Sequence, residues 1–435
     1  MSYRFSVCLL LFTLPLIAPA QDGRAGLGRN AGFVVVGPPM DVRADHILDS
    51  SDESKLAKTD PVTLYKWDED GGGWLGYTDL SNTVAKERGA ALFLFDDSED
   101  AWTNDTFTLS FVGPTSGPTD DLGFAVNAGT DENSWFASNP YIGFFDPRYL
   151  RASAGKDLLS VFTEHVQFWN YAEDEWEYYS FGDSTSTMTS VEYRFLFPSQ
   201  DGFFVEAHTS GQDSLVFGLE GKRRPSTIES EIGPSPLIVE DNEDLIVPRY
   251  GREDEQWVQL KVYLLMRGGQ DQYLLDDRSW IYFYQGAQRN AFDRHDATKL
   301  NPMTSQFAAI GLEGTKFGAP RMQSILSLPP SPSLPIERPL RVATRDLQGT
   351  LEIVADSSNL PSGWGIQITD TKKTSDTADD VSTQLGKEVG EGYRFQIRNP
   401  RPDPSGPPDL ITRQDSADAG VTPRFRIKID QESNL

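Results

Sequence analysis

Cysteine is almost missing from this sequence: Cys8 is the only one. Thiolate metal sites, cysteine nucleophiles and a disulfide framework are therefore excluded for everything after the first twenty residues. A chain of 435 residues can still bury enough apolar surface to fold without cross-links. Histidine is scarce too. His46, His165, His208 and His295 stand in no HxH or HExxH spacing, so a zinc site has no local support. No GxSxG elbow is present to place a serine nucleophile. Gly26 and Gly28 precede the apolar run at 33–36, whereas a dinucleotide loop follows its strand.

Positive charge is in deficit. Lys and Arg number 39 against 65 Asp and Glu, a formal net charge of −26. Loss of Arg4 with residues 1–20, which hold no acid, leaves −27. Such a surface repels nucleic acid and anionic lipid, and it favours solubility and cations. After residue 17 no stretch reaches the roughly 18 consecutive apolar residues of a membrane-spanning helix. The expectation is no nucleic-acid partner and no transmembrane segment once the N-terminus is removed.

That N-terminus has the three-part layout of a secretory signal. Arg4 is the positive start, residues 5–17 are almost unbroken apolar sequence, and Ala18-Pro19-Ala20 supplies small residues before Gln21. Cys8 sits inside the apolar run, which is the wrong place for a lipoprotein anchor. The chain is expected outside the inner membrane: secreted, on the outer cell surface, or in the periplasm.

The dominant period of what remains is two. Phe107, Leu109 and Phe111 alternate with Thr106, Thr108 and Ser110. Val258, Leu260, Val262 and Leu264 alternate with Trp257, Gln259, Lys261 and Tyr263. Phe425, Ile427 and Ile429 alternate with Arg424, Arg426 and Lys428. Each pattern fits a half-buried antiparallel strand. The runs at 33–36 and 280–284 are denser, as strands covered on both faces require. Glycine turns at 71–73, 268–269 and 363 punctuate them. Helix patterns are rare, and the best runs from Lys156 to Phe168, with Leu158, Leu159, Phe162 and Val166 in helical spacing. Residues 64–74 and 166–176 echo each other as aromatic strand, acidic turn and return strand, two hairpins closed by Trp74 and Trp176.

The expected fold class is all-β, several antiparallel β-sandwich-like modules in tandem with few short helices. The divisions are a signal peptide at 1–20, a partly flexible segment at 21–60, a first module at 61–222 and a linker at 223–236. A second, sandwich-like module follows at 237–328, then a linker at 329–336 and a C-terminal module at 337–435. The second linker rests on four prolines in the eight residues from Leu328 to Pro335.

Three sets of residues carry candidate chemistry. Asp96, Asp97 and Asp100, and separately Asp293 and Asp296, offer oxygen ligands for calcium, the one cofactor candidate. The competing reading is turn structure, since Asx side chains cap turns. Trp74 and Trp176 are candidates for an exposed aromatic platform that stacks on sugars, against the competing reading that they are core. No residue is singled out as catalytic.

Several phrases resemble large secreted and surface proteins of Bacteroidota-like and Rhodothermota-like bacteria. The resemblance is to the β-rich region upstream of the C-terminal sorting domain of type IX secretion cargo. They are Trp135-Phe136-Ala137-Ser138-Asn139-Pro140-Tyr141 with Phe145-Asp146, Gln167-Phe168-Trp169, and Gln200-Asp201-Gly202-Phe203-Phe204-Val205. Later come Phe292-Asp293 with Asp296-Ala297-Thr298-Lys299-Leu300, Leu360-Pro361-Ser362-Gly363-Trp364 with Ile368-Thr369-Asp370-Thr371, and Pro423-Arg424-Phe425. The chain stops at Leu435, where the family continues into its sorting domain. The resemblance implies a secreted or surface protein. The chain as a whole reads as a structural, adhesion or assembly protein without catalytic activity, with other surface proteins or extracellular glycans as partners. A carbohydrate-binding surface module and an extracellular hydrolase remain as alternatives.

Overall fold

The computed structural model describes residues 31–38, 40–49, 55–60, 62–69, 73–95, 109–111, 120–128, 134–141, 144–153, 156–170, 175–180, 197, 202–223, 256–265, 272–289, 291–300, 302–303, 307–330, 334–345, 348–372, 380–398 and 424–431. The signal-like residues 1–20 and the acidic run at 96–100 lie outside them. The described chain is all-β: its helical segments are three-residue 3-10 turns such as Ala44–His46 and Leu158–Ser160.

Three antiparallel sheets stack in the N-terminal part. The first has the order Ala31–Val36, Ala90–Phe95, Leu64–Asp68, Gly73–Gly76. The second has the order Ser134–Ser138, Gly202–Ala207, Phe162–Asn170, Glu175–Ser180. The third is Leu150–Arg151, Gly211–Phe217, Leu122–Ala128. The second sheet is covered on both faces. Trp135, Phe162, Val166, Phe203 and Val205 pack with Phe124, Val126, Leu215 and Phe217 of the third sheet. On the reverse, Phe136, Trp169, Trp176 and Phe204 meet Phe33, Val35, Tyr65, Trp74 and Phe93 of the first. The far face of the first sheet buries Val34, Val36, Leu64 and Leu92 under Val42, Ala44, Ile47 and Tyr77. The central strands Ala90–Phe95 and Gly202–Ala207 carry nearly continuous apolar runs, as strands covered on both faces do.

The C-terminal part is one near-closed, barrel-like sheet of eleven strands. Its path runs Val381–Gln384, Trp364–Asp370, Phe425–Gln431, Ile336–Arg345, Phe307–Lys316, Ala319–Leu328, Gln272–Phe283, Gln256–Leu265, Gln348–Asp356, Tyr393–Arg398, with Ala297–Thr298 beside Ala319–Leu328. Gly386 accepts from the Ala355 N–H at 2.9 Å and so helps bridge the open side. Alternate residues point inward: Val258, Leu260, Val262, Ile310, Leu312, Ile353, Ile366, Ile368, Ile427 and Ile429 fill the interior with less than 2 % exposure.

The two hairpins read from sequence form, with Trp67 opposite Trp74 and Trp169 opposite Trp176. Three expectations are corrected. The segment 21–60, expected to be partly flexible, contains the strand Ala31–Val36, which pairs along its full length with Ala90–Phe95. The segment 329–336 does not separate two modules. Ile336–Arg345 pairs with Phe307–Lys316, and Gln348–Asp356 with Gln256–Leu265, so both sides share one sheet and one core. The expected helix from Lys156 to Phe168 is a single turn capped by Asp157 and then the strand Phe162–Asn170. Burial on both faces hides the period of two in that strand, leaving an apolar spacing that mimics a helix.

Phe136 fills the space beside Gly89 and Gly202, where a side-chain carbon at either position would run into the ring. Gly202→Ala should therefore cost about 1–3 kcal/mol by overpacking, and Phe136→Leu in the same chain should recover part of the loss. Urea unfolding measures both, and an unchanged midpoint for Gly202→Ala would contradict this packing.

Candidate functional site

Many of the buried polar side chains of the described chain gather where the second sheet meets the outer face of the barrel. The second sheet supplies Glu164, His165, Gln167, Tyr178 and Glu206. The barrel supplies residues 293–299, Lys316 at the end of Phe307–Lys316, and Ser324 and Ser327 of Ala319–Leu328. Glu164, His165, Glu206, His295, Asp296 and Lys316 are each between 1 % and 3 % exposed, so bulk water does not reach them. Leu300 and Met303 run on from this seam into the aromatic cluster of Trp169, Trp176 and Phe204. Trp280, Tyr282, Ala297 and Ile325 form an apolar patch alongside it.

The turn at 293–298 is built by its own carboxylates. Asp293 accepts from the N–H groups of His295 at 2.8 Å and Gln288 at 2.6 Å. Asp296 accepts from Asp293 N–H at 2.9 Å, Ser327 N–H at 2.7 Å and Ser327 Oγ at 2.8 Å. Burial, reinforced by the neighbouring Asp293, holds the Asp296 carboxyl well above the ordinary carboxylate range. Among the described residues no group of three His, Cys, Asp or Glu side chains is arranged to hold a metal. The hydrogen bonds of Asp293 and Asp296 are those of turn-forming residues, while Asp96, Asp97 and Asp100 fall outside the described chain.

Around the turn, charges meet across the seam. Glu164 N–H donates to Arg294 O at 2.8 Å, and Glu164 Oε2 lies 2.9 Å from His295 Nδ1. The latter is a close polar contact, not aligned as a straight hydrogen bond. His295 Nε2 takes Arg294 Nε at 3.2 Å, and its ring lies 4.2 Å from Tyr284. His165 Nε2 bonds His295 O at 3.0 Å. Burial pushes the His165 imidazole below its ordinary value, a shift that nearby Glu164 partly opposes. Glu206 accepts from Lys316 Nζ, Thr298 Oγ1 and, at 2.9 Å, Thr298 N–H. Gln167 Nε2 and Ser324 Oγ both reach Thr298 O, at 3.1 and 3.3 Å, and Tyr178 OH donates to Ser324 Oγ at 2.6 Å.

Glu164 beside His295 has the parts of a carboxylate–imidazole pair. The second imidazole nitrogen is held by Arg294, and Ser324 and Ser327 bond to Thr298 and Asp296. The described hydroxyls, imidazoles and carboxylates of this seam are buried where two β bodies meet. Trp74 and Trp176 are corrected as a sugar platform: they are 7 % and 6 % exposed, and both sit in the cluster around Phe204. Edge contacts from Phe136 and Trp67 on Trp74, and from Trp169 on Trp176, take up the faces a sugar would need.

Sequence reading missed Glu164, His165, Glu206 and Lys316. A signal was present: Glu164, His165 and Gln167 interrupt Val161-Phe162 and Val166-Phe168, and Glu206 follows Phe203-Phe204-Val205. Polar residues inside a doubly covered strand need partners from another element. No protein-family model, curated protein or solved structure matches this chain.

Two outcomes follow from the seam. The native state keeps His165 neutral, whereas the unfolded chain protonates it near pH 6.5, its ordinary value. Its contribution is therefore full above that pH and lost as pH falls below it. Asp296 has the opposite sign: the unfolded carboxyl ionises near 3.8 while the native one holds its proton, so that contribution fades as pH rises. His165→Gln should lose about 1–2 kcal/mol at neutral pH, the scale of a buried hydrogen bond. Its stability should fall less steeply than the parent's below pH 6.5; equal acid slopes in urea titrations would refute the assignment. Lys316→Met, which strands Glu206, should cost about 3–5 kcal/mol. Adding Glu206→Gln should restore much of it, and a single variant as stable as the parent would deny the pair its role.

Proposed function

We propose that this chain is a non-catalytic β-rich protein that works outside the inner membrane, in structure, adhesion or assembly. Its partners on this reading are other surface proteins or extracellular glycans, met through loops carried on a firm scaffold. One observation carries the reading: the densest set of chemistry-bearing side chains among the described residues is buried and joins two β bodies. A buried, mutually bonded set favours a fixed orientation over turnover, because catalysis needs at least one such group to reach a substrate atom. The signal-like N-terminus supports an extracytoplasmic setting. The resemblance to surface proteins upstream of a sorting domain points the same way.

The test is fractionation of cells expressing the full chain, combined with turnover assays. The mature protein should begin at Gln21 and be recovered outside the inner membrane. It should leave chromogenic ester, glycoside and peptide substrates at the buffer rate. Cytoplasmic protein with its first twenty residues intact, or saturable hydrolysis of any substrate, would overturn the reading.

A further inference from the structure

We propose that the outer face of the barrel carries an oxyanion-binding site centred on Lys261 and Arg278. This site is independent of the structural role above.

The argument begins with register. Lys261 of Gln256–Leu265 stands directly opposite Arg278 of Gln272–Phe283. Their neighbours Leu260 and Val262 point into the barrel, so both cations project outward. Directly opposed residues of a ladder have β-carbons about 5 Å apart, and like charges there repel. A fold normally answers such a pair with carboxylates on the flanking strand. Here the residue on the other side of Lys261 is Val354.

The two carboxylates diagonal to Lys261 are already engaged. Glu352 accepts from Gly390 N–H at 2.7 Å, Gly392 N–H at 2.9 Å and Arg394 Nε at 3.0 Å. Asp356 is held by Lys387 Nζ at 2.9 Å. Glu388 contributes negative charge at the rim, with Lys387 beside it opposing that effect on Lys261. Lys299 Nζ donates to the Arg278 carbonyl at 3.2 Å. Arg278 Nε is buried and makes no hydrogen bond. Half-burial pushes the Lys261 ammonium down, and Arg278 pushes it the same way. Arg278 also faces Tyr263, the next outward residue along the strand, whose hydroxyl is half-buried.

Lys261 and Arg278 are therefore adjacent, partly desolvated cations without an ion pair among the described residues, in a protein of charge −26. An unpaired guanidinium N–H in such a place costs stability unless something accepts from it. The complementary group is an oxyanion. Arg278 offers a planar fork for two oxygens, Lys261 a point charge, and Tyr263 a neutral donor. Carboxylates and tetrahedral sulfate or phosphate share this chemistry.

The test is thermal unfolding of the full chain with sodium glucuronate, sulfate or phosphate added at constant ionic strength set by chloride. The expected result is a saturable rise in melting temperature with at least one of these probes. Glucuronate as the stronger probe marks a carboxylate ligand, and sulfate or phosphate as the stronger a tetrahedral one; either supports the site. Lys261→Met should weaken the response by about tenfold or more, and Arg278→Lys, which keeps charge but loses the fork, by a smaller factor. In chloride alone Lys261→Met should melt no lower than the parent, because it relieves repulsion. No saturable response from the parent, a response that both variants retain in full, or a Lys261→Met chain that melts lower in chloride would each overturn the proposal.

Discussion

The constraint on which the rest of this structure depends is that a charge removed from water must find its partner inside the protein. Glu206 meets Lys316 and Thr298 across the seam, and Glu164 meets His295. One member of each pair belongs to the stacked sheets and the other to the barrel. Separating the two bodies would leave both sets of polar groups without their partners, together with the apolar surfaces of Leu300, Met303 and Trp280. Polar pairing fixes which groups face one another, and burial of the apolar patches on either side supplies most of the adhesion. The pairing therefore contributes orientation and specificity more than bulk stability.

Much of the architecture was legible because half-buried strands announce themselves. The alternation from Trp257 to Leu264 and from Arg424 to Lys428 places the right residues inside the barrel. The tryptophan-closed hairpins were legible because turn residues separate two aromatic runs. Legibility failed where both faces are covered, as in Phe162–Asn170, since buried polar Thr163, Glu164, His165 and Gln167 stand among its aromatics and break the period of two. It failed again at 329–336. Proline marks a chain that leaves a ladder, but not whether the chain returns to the same sheet, and here it returns beside Phe307–Lys316.

The candidate site was less legible still. Asp293 and Asp296 were singled out, and the turn chemistry weighed for them is what their hydrogen bonds serve. Glu164, His165, Glu206 and Lys316 are scattered over more than 150 residues of sequence, and only the docking of the sheet on the barrel brings them together. The tryptophans Trp74 and Trp176 carry the same lesson from the other side. An aromatic residue in an alternating strand does not reveal whether its outer face meets water or another sheet. The Lys261–Arg278 pair shows what remains readable after folding: two cations stand opposite each other while the nearby carboxylates Glu352 and Asp356 are engaged elsewhere.

If the seam makes one body of the stacked sheets and the barrel, they should unfold together. Differential scanning calorimetry of the intact chain at neutral pH tests this most directly. The account predicts one endotherm whose van't Hoff and calorimetric enthalpies agree. Two resolved endotherms, or a calorimetric enthalpy about twice the van't Hoff value, would show that the two bodies melt independently and would contradict the account.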